Sequence, residues 1–226
     1  MSENIKQGIS RRRFLIGAAG VSVVACGGIG YLGLRNPSID FIEQSYPSTA
    51  PDSPAILVAY GSQFGSTGGV ADAIAQALNN NGASVDVRLL ENARDVARYN
   101  AVVVGAPVHT DAWMPDAVDF VKRQRATLRN IPVVYFLTCM TLALSDNDDD
   151  IAVIEAVFQK VQDDVDDVRP IERGLFAGAL DYSKMSLAMN LAYRFFSEDD
   201  SSGDFRDFDA IRTWANTLYP RLVEVA

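Results

Sequence analysis

At 226 residues and 48% hydrophobic composition, the chain holds material for one core-bearing domain plus an extra segment, short of two full domains. Its formal net charge of −9 is divided unevenly: the first 35 residues contain Lys6, Arg11, Arg12, Arg13 and Arg35 against Glu3 alone, leaving 15 Lys+Arg against 28 Asp+Glu, a net of −13, for the rest. Such a body repels nucleic-acid phosphates and anionic lipid headgroups, two cysteines cannot build a disulfide framework, and a single histidine excludes a His-rich metal site.

The chain begins with a basic stretch, "SRRRFLI" at 10–16, followed by 21 uncharged residues from Phe14 to Leu34, six of them glycine. A basic region before a moderately apolar one reads as an export leader, and paired arginines before Phe-Leu resemble the twin-arginine signal. Three fates stand open for it. "VVAC" at 23–26 resembles a lipoprotein cleavage box that would lipidate Cys26; the stretch is long enough to remain as a bilayer anchor; or it is cut and lost. "GIGYLG" at 28–33 matches a dinucleotide fingerprint literally, but no strand-like stretch precedes it and no amphipathic pattern follows. Residues 36–54 turn to Pro, Ser and acidic residues, with prolines at 37, 47, 51 and 54, and read as a tether between the leader at 1–35 and a folded body at 55–226.

Five nearly continuous apolar runs follow: "AILVAY" (55–60), "SVDVRLL" (84–90), "AVVVGA" (101–106), "PVVYFLT" (132–138) and "GLFAGAL" (174–180). Runs apolar on both faces suit strands covered on both sides. Between them lie stretches of helical period: Val70, Ile74 and Leu78; Val118, Val121 and Leu128; Ile151, Ile154, Phe158 and Val161; and finally Phe208, Ile211, Trp214 and Leu218. The alternation predicts a three-layer α/β sandwich on a parallel sheet. "SDNDDD" at 145–150 fits capping of the helix after it.

"YGSQFGSTGGVA" at 60–71 joins the first strand to the first helix. Glycine lets a backbone approach a ligand, successive N–H groups form an anion-binding concavity, and the helix N-terminus adds its positive dipole end. No lysine lies between Lys6 and Lys122, so the G-x-x-x-x-G-K-[ST] loop of a triphosphate site is absent. A single phosphate monoester held by neutral donors fits; the alternative on the loop alone is an ordinary turn capped by Ser62 or Ser66.

The stretch "VAYGSQFGSTGGVADAI", with Ser62, Gln63, Phe64, Gly65, Ser66 and Thr67 in order, resembles the phosphate loop of flavodoxins. "VVVGAPVHTDAWMPDAVDFVKR" (102–123), "PVVYFLTCMTLA" (132–143), "AGALDYSKMS" and "GDFRDFDAIRTWA" (177–215) are similar to the menaquinone-dependent protoporphyrinogen oxidase branch of the flavodoxin-like family. The resemblance implies a five-stranded sheet of order 2-1-3-4-5, FMN as cofactor, and no metal and no catalytic side chain. It also implies a second loop of Pro107, Val108, His109 and Trp113, with Trp113 stacked on or beside the flavin and His109 facing flavin or substrate, and a third loop of Thr138 and Cys139 along the pyrimidine edge. Asp111 stands where the family has glycine. All three loops leave the carboxyl ends of strands, where open α/β sheets bind ligands.

The chemistry implied belongs to the flavin, with protein charge setting its potential; a body of −13 disfavours added negative charge and lowers it. The expected protein is an exported flavoprotein oxidoreductase at the outer face of the cytoplasmic membrane, acting on a quinone, a porphyrinogen or a redox protein. An electron carrier without its own substrate, or a flavin-free interaction domain, are the rival readings. The apolar face of "SKMSLAMNLAYRFF" (183–196) is either a docking surface or, as the expectation runs, packed against the body.

Overall fold

The computed structural model describes residues 37–109, 112–144, 147–196 and 202–224. The leader, Cys26, Thr110 and Asp111 lie outside the described residues. The main unit comprises Ile39–Leu180 and Gly203–Ala226.

In chain order the elements of the main unit are β1 (Gln44–Tyr46), β2 (Ala55–Tyr60), α1 (Ser66–Asn80), β3 (Ser84–Leu89), β4 (Ala101–His109), β5 (Ala112–Trp113), α2 (Pro115–Leu128), β6 (Val133–Cys139), a single turn α3 (Thr141–Leu144), α4 (Asp148–Asp164), β7 (Glu172–Ala177) and β8 (Ala179–Leu180). α5 (Leu187–Phe196) belongs to the second unit; β9 (Gly203–Asp204) and α6 (Phe208–Val223) return to the first.

The sheet runs β1-β3-β2-β4-β6-β7, and every pairing from β3 to β7 is parallel. Read over the five apolar runs, that is the expected order 2-1-3-4-5. Val, Ile and Leu fill both faces because helices cover both. Ile56, Val58 and Tyr60 point to the layer of α1 and α6, where Val70, Ile74, Leu78, Ile211 and Leu218 are buried. Leu57 and Ala59 face the other layer with Phe120, Val121, Leu128, Ile154, Phe158 and Val161. The chain is thus a three-layer sandwich, as its periodicities require.

Two departures follow from pairing that periodicity does not reveal. The stretch expected to be a tether instead joins the body from Ile39 onward: β1 adds an antiparallel edge to β3, pairing Gln44 with Val87 and Tyr46 with Val85. Its side chains are anchored as well. The Tyr46 hydroxyl donates to Asp72, the Asn79 amide donates to the Tyr46 carbonyl, and Ile42 packs on the core. Beneath β1, burial pushes the Asp86 carboxyl up, but hydrogen bonds from Ser45 and Tyr99 and the charges of Arg88 and Arg98 outweigh it and hold the group below its ordinary value. The fifth apolar run also breaks at Gly178. β7 ends at Ala177, and β8 pairs instead with β9, Leu180 opposite Gly203, so the chain leaves and re-enters the unit across one short ladder.

Capping follows the sequence at α4, where the Asn147 side chain accepts from the Asp149 N–H. In the second unit the Asp181 side chain accepts from Ser183, and the Asn190 amide donates to the Tyr182 carbonyl. Met185 there is buried, yet Leu187 and Leu191, one helical turn apart, are 63% and 59% exposed. The expected burial of that whole apolar face does not hold for these two leucines.

Candidate functional site

Three chain reversals gather at one edge of the sheet. Tyr60 lies opposite Gly105, Gly105 opposite Phe136, and Pro107 opposite Thr138, so the segments after β2, β4 and β6 all emerge at the same side. The sheet's direction of growth reverses between β2 and β4, which makes this crevice the topological switch point.

The first loop is held by the neighbouring strands and by one of its own hydroxyls. The Gly61 N–H donates to the Gly105 carbonyl at 2.8 Å, the Leu90 N–H to the Tyr60 carbonyl at 3.0 Å, and the Gly65 N–H to Ser62 Oγ at 2.9 Å. Gly65 takes φ +85°, a left-handed conformation that costs an L-residue about 1–2 kcal/mol. It is the N-cap of α1, and no side chain caps that end; no acidic residue stands in the first turn. Neither Ser62 nor Ser66 therefore does the capping that an ordinary turn would require. The result is a helix N-terminus with no side-chain cap and no acidic residue to offset its dipole, an end that favours an anion.

Thr67 and Thr138 come together. Both are buried, and their hydroxyl oxygens lie 3.0 Å apart, joining the first loop to the third across 71 positions of chain. Ser62, Phe64, Gly65 and Ser66 are half-buried around the loop and Gln63 is exposed. Tyr60, the aromatic just before the turn, is buried; its hydroxyl donates to the Ile42 carbonyl, and burial pushes it up to about 12, so it stays protonated.

The second loop is shorter than expected because β4 runs on to His109. Val108 pairs with Trp113 and His109 with Ala112, a hairpin that turns the chain at once into α2. Pro107, Val108 and His109 are half-buried at the crevice edge. Desolvation holds the His109 imidazole below its ordinary value, so it is neutral at neutral pH.

Trp113 departs from its expected role. It is 2% exposed, its Nε1–H donates to the Ala106 carbonyl at 3.1 Å, and its ring packs against Tyr135 at 5.1 Å and Phe158 at 6.1 Å between centroids. A ring enclosed by the α2–α4 layer presents no face to a ligand. The reason is the hairpin: alternation along β5 places Trp113 on the core side of the sheet. In the third loop Cys139 is half-buried with a free thiol, and its carbonyl accepts from the Gly178 N–H at 3.2 Å.

A family model described as "Flavodoxin domain" matches residues 57–202, well over half of the chain. The chain belongs to the flavodoxin domain family. Among solved structures it is similar to a flavodoxin from the domain Archaea (12% identity over 74% of this chain and 98% of that one, TM-score 0.46) and to the Streptococcus pneumonia TIGR4 flavodoxin (16% identity over 74% and 99%, TM-score 0.44). It is also similar to the Flv1 flavodiiron core from Synechocystis sp. PCC6803 (11% identity over 77% of this chain and 37% of that one, TM-score 0.49). No curated protein matches the chain.

The cofactor of a flavodoxin domain is FMN, and the residues present fit its phosphate: a left-handed glycine, an uncapped first turn and hydroxyls at Ser62, Ser66 and Thr67 are neutral donors for one phosphomonoester. Pro107, Val108, His109, Thr138 and Cys139 stand together at the switch-point end of β4 and β6, whereas Trp113 is turned into the core. When bound, FMN supplies one- or two-electron transfer. The chain's part would be to hold the phosphate at the first turn of α1.

One residue at this site carries no role in the sequence reading. Arg206, from the segment between β9 and α6, reaches the first turn of α1, where its Nη1 donates to the Ser66 carbonyl at 2.9 Å. Arg206 lies in the quoted stretch "GDFRDFDAIRTWA", but a separation of 140 positions hides its partner in the linear sequence.

Proposed function

We propose that this flavodoxin-domain protein is an exported, membrane-tethered FMN oxidoreductase that exchanges electrons with a hydrophobic partner of the quinone or porphyrinogen type. The observation that carries the cofactor part is the uncapped α1 N-terminus behind left-handed Gly65. The twin-arginine-like leader supports export, because that route carries proteins folded around a cofactor.

The point where the chain joins the body supports a lipid-soluble partner. Ile39 lies against the phosphate loop, its Cγ2 3.1 Å from where a Cβ on Gly65 would stand. Five residue steps separate Leu34 from Ile39, at most about 18 Å of extended chain. An anchor kept in the bilayer would hold the cofactor edge, rather than the opposite end of the sheet, close to the membrane.

The test is to purify the full chain with its membrane fraction, record its visible absorption, and assay oxidation of protoporphyrinogen with a quinone acceptor. Flavin bands with quinone-dependent turnover support the reading. Flavin that cycles with a reductase but turns over no small substrate identifies an electron carrier, and a colourless protein that takes up no added FMN identifies an interaction domain.

A further inference from the structure

Arg206 is built into place more firmly than a surface arginine. Its Nε and Nη2 grip the two carboxylate oxygens of Asp204 at 2.7 and 2.5 Å, and its guanidinium carbon lies 4.9 Å from the Phe208 ring centroid. Its path to Ser66 passes over Gly69, where a Cβ would come within 2.3 Å of Nη1, so a side chain there would push the guanidinium aside. Its side chain is 17% exposed. Three of its five N–H groups are thereby committed, leaving one hydrogen on Nη1 and one on Nη2.

A cation beside the first turn of a helix stands against the dipole, and Asp204 supplies its counter-charge here. The contact that holds it is specific. The Ser66 carbonyl belongs to the same peptide plane as the Thr67 N–H, and the two point in opposite directions along the helix axis. Donation to the carbonyl fixes that plane and polarises its N–H.

We propose that Arg206 is a phosphate-positioning residue: by clamping the Ser66–Thr67 peptide it strengthens the Thr67 N–H as a donor to a dianionic phosphomonoester. It thereby makes the site select a phosphorylated flavin over its unphosphorylated form. This rests on the FMN reading for the identity of the ligand, but the anion selectivity stands on the Arg206 geometry.

The experiment titrates the full-length apoprotein with FMN and with riboflavin by fluorescence quenching at low and high salt. It uses wild type, Arg206→Gln and Arg206→Lys, with thermal melts in inorganic phosphate alongside. Arg206→Gln is expected to weaken FMN binding by about tenfold or more, the loss of one charge-assisted hydrogen bond, and to leave riboflavin binding unchanged. It should also flatten the salt dependence and abolish protection by phosphate. Arg206→Lys keeps the charge but cannot grip Asp204 and reach Ser66 together, and should show the same split at smaller size.

A purely structural role would weaken both flavins equally. That result, or an unchanged FMN-to-riboflavin ratio in either variant, overturns the proposal; if Arg206→Gln does not fold, the lysine variant decides by the same ratio. Wild type that binds neither flavin overturns the FMN reading instead. In that case phosphate protection that depends on Arg206 upholds the inference, and its absence or its independence of Arg206 ends it.

Discussion

The hydroxyl pair Thr67–Thr138 offers a quantitative test of how the first and third loops are joined. The two oxygens lie 3.0 Å apart, and Thr67 is 0% and Thr138 3% exposed, so each is the other's replacement for water. Thr67→Val is close to isosteric but leaves the Thr138 hydroxyl buried without its partner, a cost of about 1–3 kcal/mol; Thr138→Val does the same to Thr67. Removing both hydroxyls removes both unmet groups, so the double variant should lie within about 1 kcal/mol of wild type, with a coupling of about 1–3 kcal/mol in the double-mutant cycle. Urea unfolding of the four apoproteins measures this directly. Strictly additive losses would refute the reasoning, because they would mean that each hydroxyl is satisfied independently of the other. FMN titration of the same four proteins adds a second reading. Thr67→Val should weaken FMN binding through the loss of a phosphate donor, whereas Thr138→Val should free the Thr67 hydroxyl and leave affinity equal to wild type or better. Equal losses from the two would show that the pair supports the loop without Thr67 reaching the phosphate.

Other outcomes are open to simpler checks. Gly65→Ala places an L-residue at φ +85° and a Cβ 3.1 Å from Ile39, so the apoprotein should lose about 1–2 kcal/mol and FMN affinity should fall with it; unchanged affinity by titration would show that the loop does not hold the phosphate in this conformation. Trp113→Phe should cost about 1–3 kcal/mol in urea unfolding through the lost bond to the Ala106 carbonyl and the space left beside Tyr135. Its FMN affinity and flavin absorption should match wild type, and altered flavin bands in a stable variant would restore the ring to the site. His109 is held below its ordinary 6.5 in the folded state, so the unfolded chain binds the extra proton first on acidification. Stability tied to this residue is full above about pH 6.5 and is lost as the pH falls, so wild type should lose more stability than His109→Gln between pH 7.5 and 5.0; parallel losses by urea midpoint would refute it.

The layer arrangement was legible in the chain because burial on two faces leaves a mark that no other environment leaves. "AILVAY", "AVVVGA" and "PVVYFLT" are apolar without alternation, and the helices between them keep their own period, so a parallel sheet between two helical layers follows from burial alone. The phosphate loop was legible for a different reason: its donors are backbone groups of consecutive residues, so the whole device is local. Gly65 must be glycine to turn left-handed, and the residues that use the turn stand beside it.

What lies across the chain was settled only by the tertiary structure. "PSTAPDSP" has the composition of a tether, and still Gln44–Tyr46 just before it pair with β3 and Tyr46 is bonded to α1, since hydrogen bonding to an open sheet edge is indifferent to composition. Trp113 sits in a stretch similar to a flavin-flanking loop, but the side of the sheet on which it falls is set by the two-residue register of the β4–β5 hairpin, and one position decides between ligand and core. Thr67 against Thr138 and Arg206 against Ser66 are matters of three-dimensional approach, with 71 and 140 positions of chain between partners. The sequence by itself determined the five parallel strands, the helices that cover them and the left-handed glycine turn, because burial and backbone conformation act over a few neighbouring residues. The folded structure decided which side chains surround that turn, because contacts between distant segments depend on strand order, register and the return of the chain after β9.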